Sequence, residues 1–144
     1  MSLITLALRY RTLHFYAQGA HHKTIGSTFM QDHEHLETLY TAYASAFDVL
    51  VETDLANSET VDEHALNLSA VKAAAAAWTP DQDRMLRSKS PTPIFETLLH
   101  LETQLQTLLS QTAKDADLAD QNLLSQLAQE SKHRALYKIA QRLA

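Results

Sequence analysis

Apolar side chains in this chain recur at steps of three and four along four long runs, and little interrupts them. Only two glycines and three prolines occur in 144 residues. A three-and-four step is one face of an α-helix, whereas a half-buried strand alternates by two. The first run spans about residues 2 to 24, with Leu3, Leu6, Tyr10, Leu13, Ala17 and Ala20 on one stripe. The second spans about 29 to 54, with Phe29, His33, Leu36, Tyr40, Tyr43, Phe47 and Leu50. A third starts at Thr92 and carries Ile94, Leu98, Leu101, Leu105 and Leu108; a fourth, about 120 to 143, carries Leu124, Leu127, Ala135 and Ile139. The expected fold class is all-α, as one domain over residues 1–144.

The links set the topology. Ile25-Gly26 ends the first helix, with Gly26 suited to the left-handed position after it, and Thr28-x-x-Gln31 reads as a capping box for the second. So short a link makes the first two helices antiparallel neighbours. Residues 55 to 92 are less regular, with a short helix expected around 60 to 77, then Trp78-Thr79-Pro80 and Ser90-Pro91-Thr92-Pro93 as breaks. Lys114-Asp115-Ala116-Asp117 reads as the last loop. Hairpin, long crossover with a short helix, hairpin is the order of a ferritin-like four-helix bundle.

Charge and composition narrow the function. Net charge is −5, and all 17 acids lie from Asp32 onward, against Arg9, Arg11 and Lys23 before it. An acidic body suits cation collection and opposes electrostatic DNA binding, and there is no basic tail to supply it. The absence of cysteine excludes disulfides, thiolate catalysis, iron–sulfur clusters and Cys-based zinc sites, and fits a reducing cytoplasm. No apolar stretch reaches the roughly 18 residues of a membrane span, and the start reads as an amphipathic helix, not a signal peptide.

Histidines and carboxylates are the ligands left for a metal. The di-iron pattern inside one bundle, Glu on two helices and Glu-x-x-His on two others, does not occur: the first run has no carboxylate, and Glu130-x-x-His133 has only Asp32-x-x-His35 to match it. A second arrangement does fit. His21 and His33 fall at one end of the first hairpin. Asp48 and Glu52 are four apart on the second helix and share a face. Asp48 lies 15 residues beyond His33, roughly 22 Å along a helix. One chain cannot bring all four to one ion, but two chains in antiparallel two-fold contact can, and the symmetry makes two equal sites.

The run His21-His22-Lys23-Thr24-Ile25-Gly26-Ser27-Thr28-Phe29, then His33-Glu34, Leu39-Tyr40, Asp48 and Glu52, resembles the signature of the Dps family, the miniferritins. That family's pattern is His, Gly five residues on, Phe, His twelve after the first, Asp fifteen further and Glu four further, and each spacing is met here. The resemblance implies His21, His33, Asp48 and Glu52 as iron ligands and catalytic residues of a ferroxidase. It further implies Fe(II) oxidation with hydrogen peroxide between two subunits, and ferric storage in a dodecameric cage. Zinc is a possible substitute ion, and a divalent-metal-binding cage without efficient turnover is the alternative reading. Two positions depart from the pattern: His22 stands where the family has Trp, and Thr53 where it tends to have Arg. Glu37, one turn beyond His33, is a secondary metal candidate or a solvated acid. His14 and His35 read as surface or core histidines, Glu130 and His133 as exposed, and Asp115, Asp117 and Asp120 as pore acids or caps.

Overall fold

The computed structural model describes residues 2–57 and 62–144. All regular structure among them is helical: α1 (Leu3–Lys23), α2 (Phe29–Asn57), α3 (Glu63–Ser88), α4 (Thr92–Asp115) and α5 (Leu118–His133). From α5 the chain passes without a break into a π-helical turn, Arg134–Ile139, and a last α-helical turn, Ala140–Leu143. No helix among the described residues is long and apolar enough to cross a membrane.

The core forms where the stripes meet. The whole expected stripe of α1 is buried, from Leu3 to Ala20, because α1 is the hub that packs against α2, α3 and α4. Leu36, Tyr43, Phe47 and Leu50 of α2 face it, joined by Leu39 and Ala46. Ile94, Phe95, Leu98, Leu105 and Leu109 of α4 and Leu124, Leu127, Ala135 and Ile139 of the last helix complete it. Phe29, expected in the seam, is 39% exposed at the corner where α2 begins.

The crossover differs most from expectation. In place of a short helix and a break at Trp78-Thr79-Pro80, α3 runs for 26 residues with Pro80 inside it. The expected onset at residue 60 lies outside the described residues. A proline inside a helix costs about 3 kcal/mol through its missing N–H and its clash with the preceding turn. Here the ring faces solvent, while Trp78 packs edge-on against Tyr16, Asp81 accepts a hydrogen bond from Tyr16, and Met85 is buried. Contacts on both sides of the proline therefore hold the helix across it. Lys89, in the left-handed conformation (φ 54°), ends α3, and its N–H bonds the Met85 carbonyl. Pro93 lies in the first turn of α4, as expected.

The Thr28 capping box is not made as read. The Thr28 hydroxyl donates to the Asp32 carboxylate (2.6 Å), which draws it away from the Gln31 amide. Asp32 in turn accepts two hydrogen bonds from Arg142 (2.7 and 3.0 Å) and is 1% exposed. A second buried pair lies mid-bundle: Glu102, fully buried, accepts from Arg134 Nε (2.5 Å), Tyr43 (2.6 Å) and Ser131 (2.6 Å). Burial opposes the Arg134 charge, but the Glu102 carboxylate overrides it and holds the guanidinium pKa above its ordinary value.

Candidate metal centre

The tight link from Thr24 to Thr28 brings the C-terminal turn of α1 onto the first turns of α2. Gly26 takes φ +93° there, a conformation that side chains rarely adopt. Opposite each other across the link stand His21, buried, and His33, half-buried. Their rings stack with centroids 3.6 Å apart at 24°. His21 Nδ1 lies 2.8 Å from the His33 carbonyl oxygen, and His33 Nδ1 lies 2.9 Å from that of His21.

This reciprocal pairing fixes the chemistry of both rings. A carbonyl only accepts, so each imidazole carries its proton on Nδ1 and donates it. In the neutral tautomer so selected, the lone pair lies on Nε2. An imidazole whose N–H is anchored on a backbone carbonyl is the form in which His ligates a metal, tautomer and ring orientation already set. A metal bonds in the plane of the ring, so two rings stacked this closely must splay for both Nε2 atoms to reach one ion. The pair sits in an aromatic surround: Phe29 stacks on His33 (5.1 Å), and Tyr40 meets His21 edge-on (5.3 Å). His22 is exposed and lies edge-on to His21 at 5.4 Å.

Asp48 and Glu52 are exposed one turn apart on α2, and make no ion pair or side-chain hydrogen bond with the described residues. Arg11 lies over the Phe47 ring (3.5 Å) near Asp48. Burial lowers the Arg11 pKa, and the negative charges of Asp48 and Glu63 work against that. The single chain thus brings His21 and His33 together and leaves the carboxylates apart from them. Among the described residues no three His, Asp or Glu side chains converge to hold an ion.

The remaining candidates have local roles. Glu37 is exposed. His14 stacks between Phe15 (5.2 Å) and Tyr40 (5.9 Å) and accepts a hydrogen bond from Arg11 (3.1 Å). His35 stacks on Phe95 (5.4 Å). Glu130 and His133 are exposed, as expected. Asp117 caps α5 by accepting from the Asp120 amide (2.9 Å), Asp120 accepts from Asn57 (3.3 Å), and Asp115 is exposed. No family model, curated protein or solved structure matches the chain.

Burial lowers the pKa of both His14 and His35. At acidic pH the unfolded chain therefore binds more protons than the folded one, and stability falls as pH drops below the ordinary value of 6.5. Urea midpoints should be lower at pH 5.5 than at pH 7.5, and the double variant His14→Phe, His35→Phe should flatten that slope. An unchanged slope would assign the pH dependence to other groups.

Proposed function

We propose that this chain is a ferritin-like protein of the Dps type, which binds Fe(II) between two subunits, oxidises it with hydrogen peroxide and stores the ferric product in a dodecameric cage. The observation that carries the reading is the reciprocal His21–His33 pairing, which engages both Nδ1 atoms on backbone carbonyls and leaves both Nε2 atoms as the ligating positions at one end of the hairpin. Asp48 and Glu52, exposed and unpaired among the described residues, supply the second half from a two-fold partner. The donor set fits the substrate: imidazole admits the ferrous ion, and carboxylate favours the ferric product. Two ferrous ions and one peroxide, with two protons, give two ferric ions and two waters. His21 and His33 hold the incoming ion by Nε2, while Asp48 and Glu52 offset the charge it gains.

The test is direct. Apoprotein mixed with Fe(II) and peroxide should develop ferric absorbance faster than buffer, and His33→Ala, Asp48→Ala should return the rate to that of buffer. No acceleration by the parent protein sinks the ferroxidase reading. A second reading, a cage that retains a divalent ion such as zinc without efficient turnover, is favoured by the solvent-facing His22 in place of an aromatic electron donor. Tight zinc binding that His33→Ala abolishes, with no accelerated iron oxidation, selects it.

A further inference from the structure

Two buried tyrosines donate hydrogen bonds to buried carboxylates, and the charge around each carboxylate separates their roles. Tyr43 donates to Glu102, whose charge is matched by Arg134, itself buried. Tyr16 is 1% exposed and donates to Asp81 Oδ2, and Asp81 is 3% exposed. The cation nearest Asp81 is Arg84 at 3.6 Å, whose side chain is 46% exposed and also reaches Glu96 at 3.3 Å. The counter-charge of Asp81 therefore lies at the surface and is shared with Glu96, whereas that of Glu102 is buried with it. Trp78, half-buried, meets the Tyr16 ring edge-on at 5.8 Å.

Removing an electron from a buried tyrosine requires its proton to leave as well. At Tyr43 the proton would neutralise Glu102 and strand Arg134 as a buried cation. At Tyr16 the same transfer turns a buried anion into a neutral acid and leaves a neutral tyrosyl radical, so the core loses a charge in place of gaining one. We propose that Tyr16, Asp81 and Trp78 form a redox-active triad that yields one electron to one-electron oxidants arriving at the solvent edge of Trp78. The oxidant takes one electron from Trp78, Trp78 takes one from Tyr16, and the Tyr16 O–H proton passes to Asp81. The products are the reduced oxidant, a Tyr16 radical and protonated Asp81. Pro80 within α3 is tolerated beside this contact, where Trp78 and Asp81 flank it. The proposal goes beyond the metal reading and does not depend on it, because its probe contains no iron.

The probe is hexachloroiridate(IV), used on the full chain carrying Tyr40→Phe and Tyr137→Phe to remove the two more accessible tyrosines. Stopped-flow absorbance and electron paramagnetic resonance should detect a neutral tyrosyl radical. Tyr16→Phe should abolish it, and Tyr43→Phe should leave it unchanged. Asp81→Asn keeps an acceptor for the hydroxyl but no base for the proton, and should slow the reaction by about a hundredfold. Trp78→Phe should slow it too. Should Asp81→Asn fail to fold by circular dichroism, the chain with Asp81 intact is measured in D2O, where a slower reaction is expected. The same radical yield in Tyr16→Phe, an unchanged rate in folded Asp81→Asn, or equal rates in H2O and D2O would overturn the proposal.

Discussion

Arg134→Met should destabilise the fold by about 3–5 kcal/mol, because it leaves the Glu102 carboxylate buried without its counter-charge. Glu102 has no exposed surface, and Tyr43 and Ser131 already donate to it at 2.6 Å, so water cannot easily replace the guanidinium. The loss is specific to the unpaired charge. Removing both charges, as Glu102→Gln, Arg134→Met, should recover most of it, since a neutral amide needs no counter-charge and still offers hydrogen-bond partners to the buried hydroxyls of Tyr43 and Ser131. Urea denaturation at one fixed protein concentration measures both variants, because assembly also shifts apparent stability. If the single variant proves no less stable than the double, Glu102 is not behaving as a buried ion.

The largest functional effect should come from mixing two inactive subunits. His33→Ala removes one half of the proposed centre and Asp48→Ala the other. If each centre takes its imidazoles from one subunit and its carboxylates from the partner, a heterodimer of the two variants holds one wholly intact centre and one doubly damaged. Dissociating and reassociating an equal mixture should therefore raise iron oxidation from the buffer rate to roughly a quarter of the parent rate, since random pairing makes half the dimers mixed and each has one centre of two. No recovery, with dimers shown to have exchanged, would place all four residues in one chain. The 15-residue step from His33 to Asp48 argues against that, because it sets the pair roughly 22 Å apart along α2.

The helices were legible wherever one period and one neighbour decided burial. The α1 stripe meets other helices around much of its face, and each residue expected inside is inside. The period carries the α2 seam one position beyond its buried part: Phe29 keeps the step but lies at the corner, where its ring covers His33 and little covers it. Pro80 predicts a break because the local rule is strong, and tertiary contacts from Tyr16 override it. The two carboxylate–arginine pairs went unseen for a different reason. Glu102 sits on the step Leu98, Glu102, Leu105, Leu109, so its inward direction was written in the period, but its partner lies 32 residues away. Asp32 in sequence resembles a metal ligand, and Arg142, 110 residues on, carries no local sign that it closes over it. For the candidate centre, the spacing carried the pairing of His21 with His33; the tautomers it imposes appear only once the carbonyl oxygens are placed.

The sequence separations of the His21–His33 and Asp32–Arg142 contacts also set an order of events as the chain is made. The histidine pair joins residues 12 apart across a tight link, so its closure costs little chain entropy and needs only the first helical hairpin. The pocket for Asp32, next in sequence to His33, is closed by Arg142, 110 residues later. Until that arginine is synthesised, the first turn of α2 must keep the Asp32 carboxylate in water. The imidazole pair can therefore meet metal ions on a nascent hairpin well before its supporting wall is sealed.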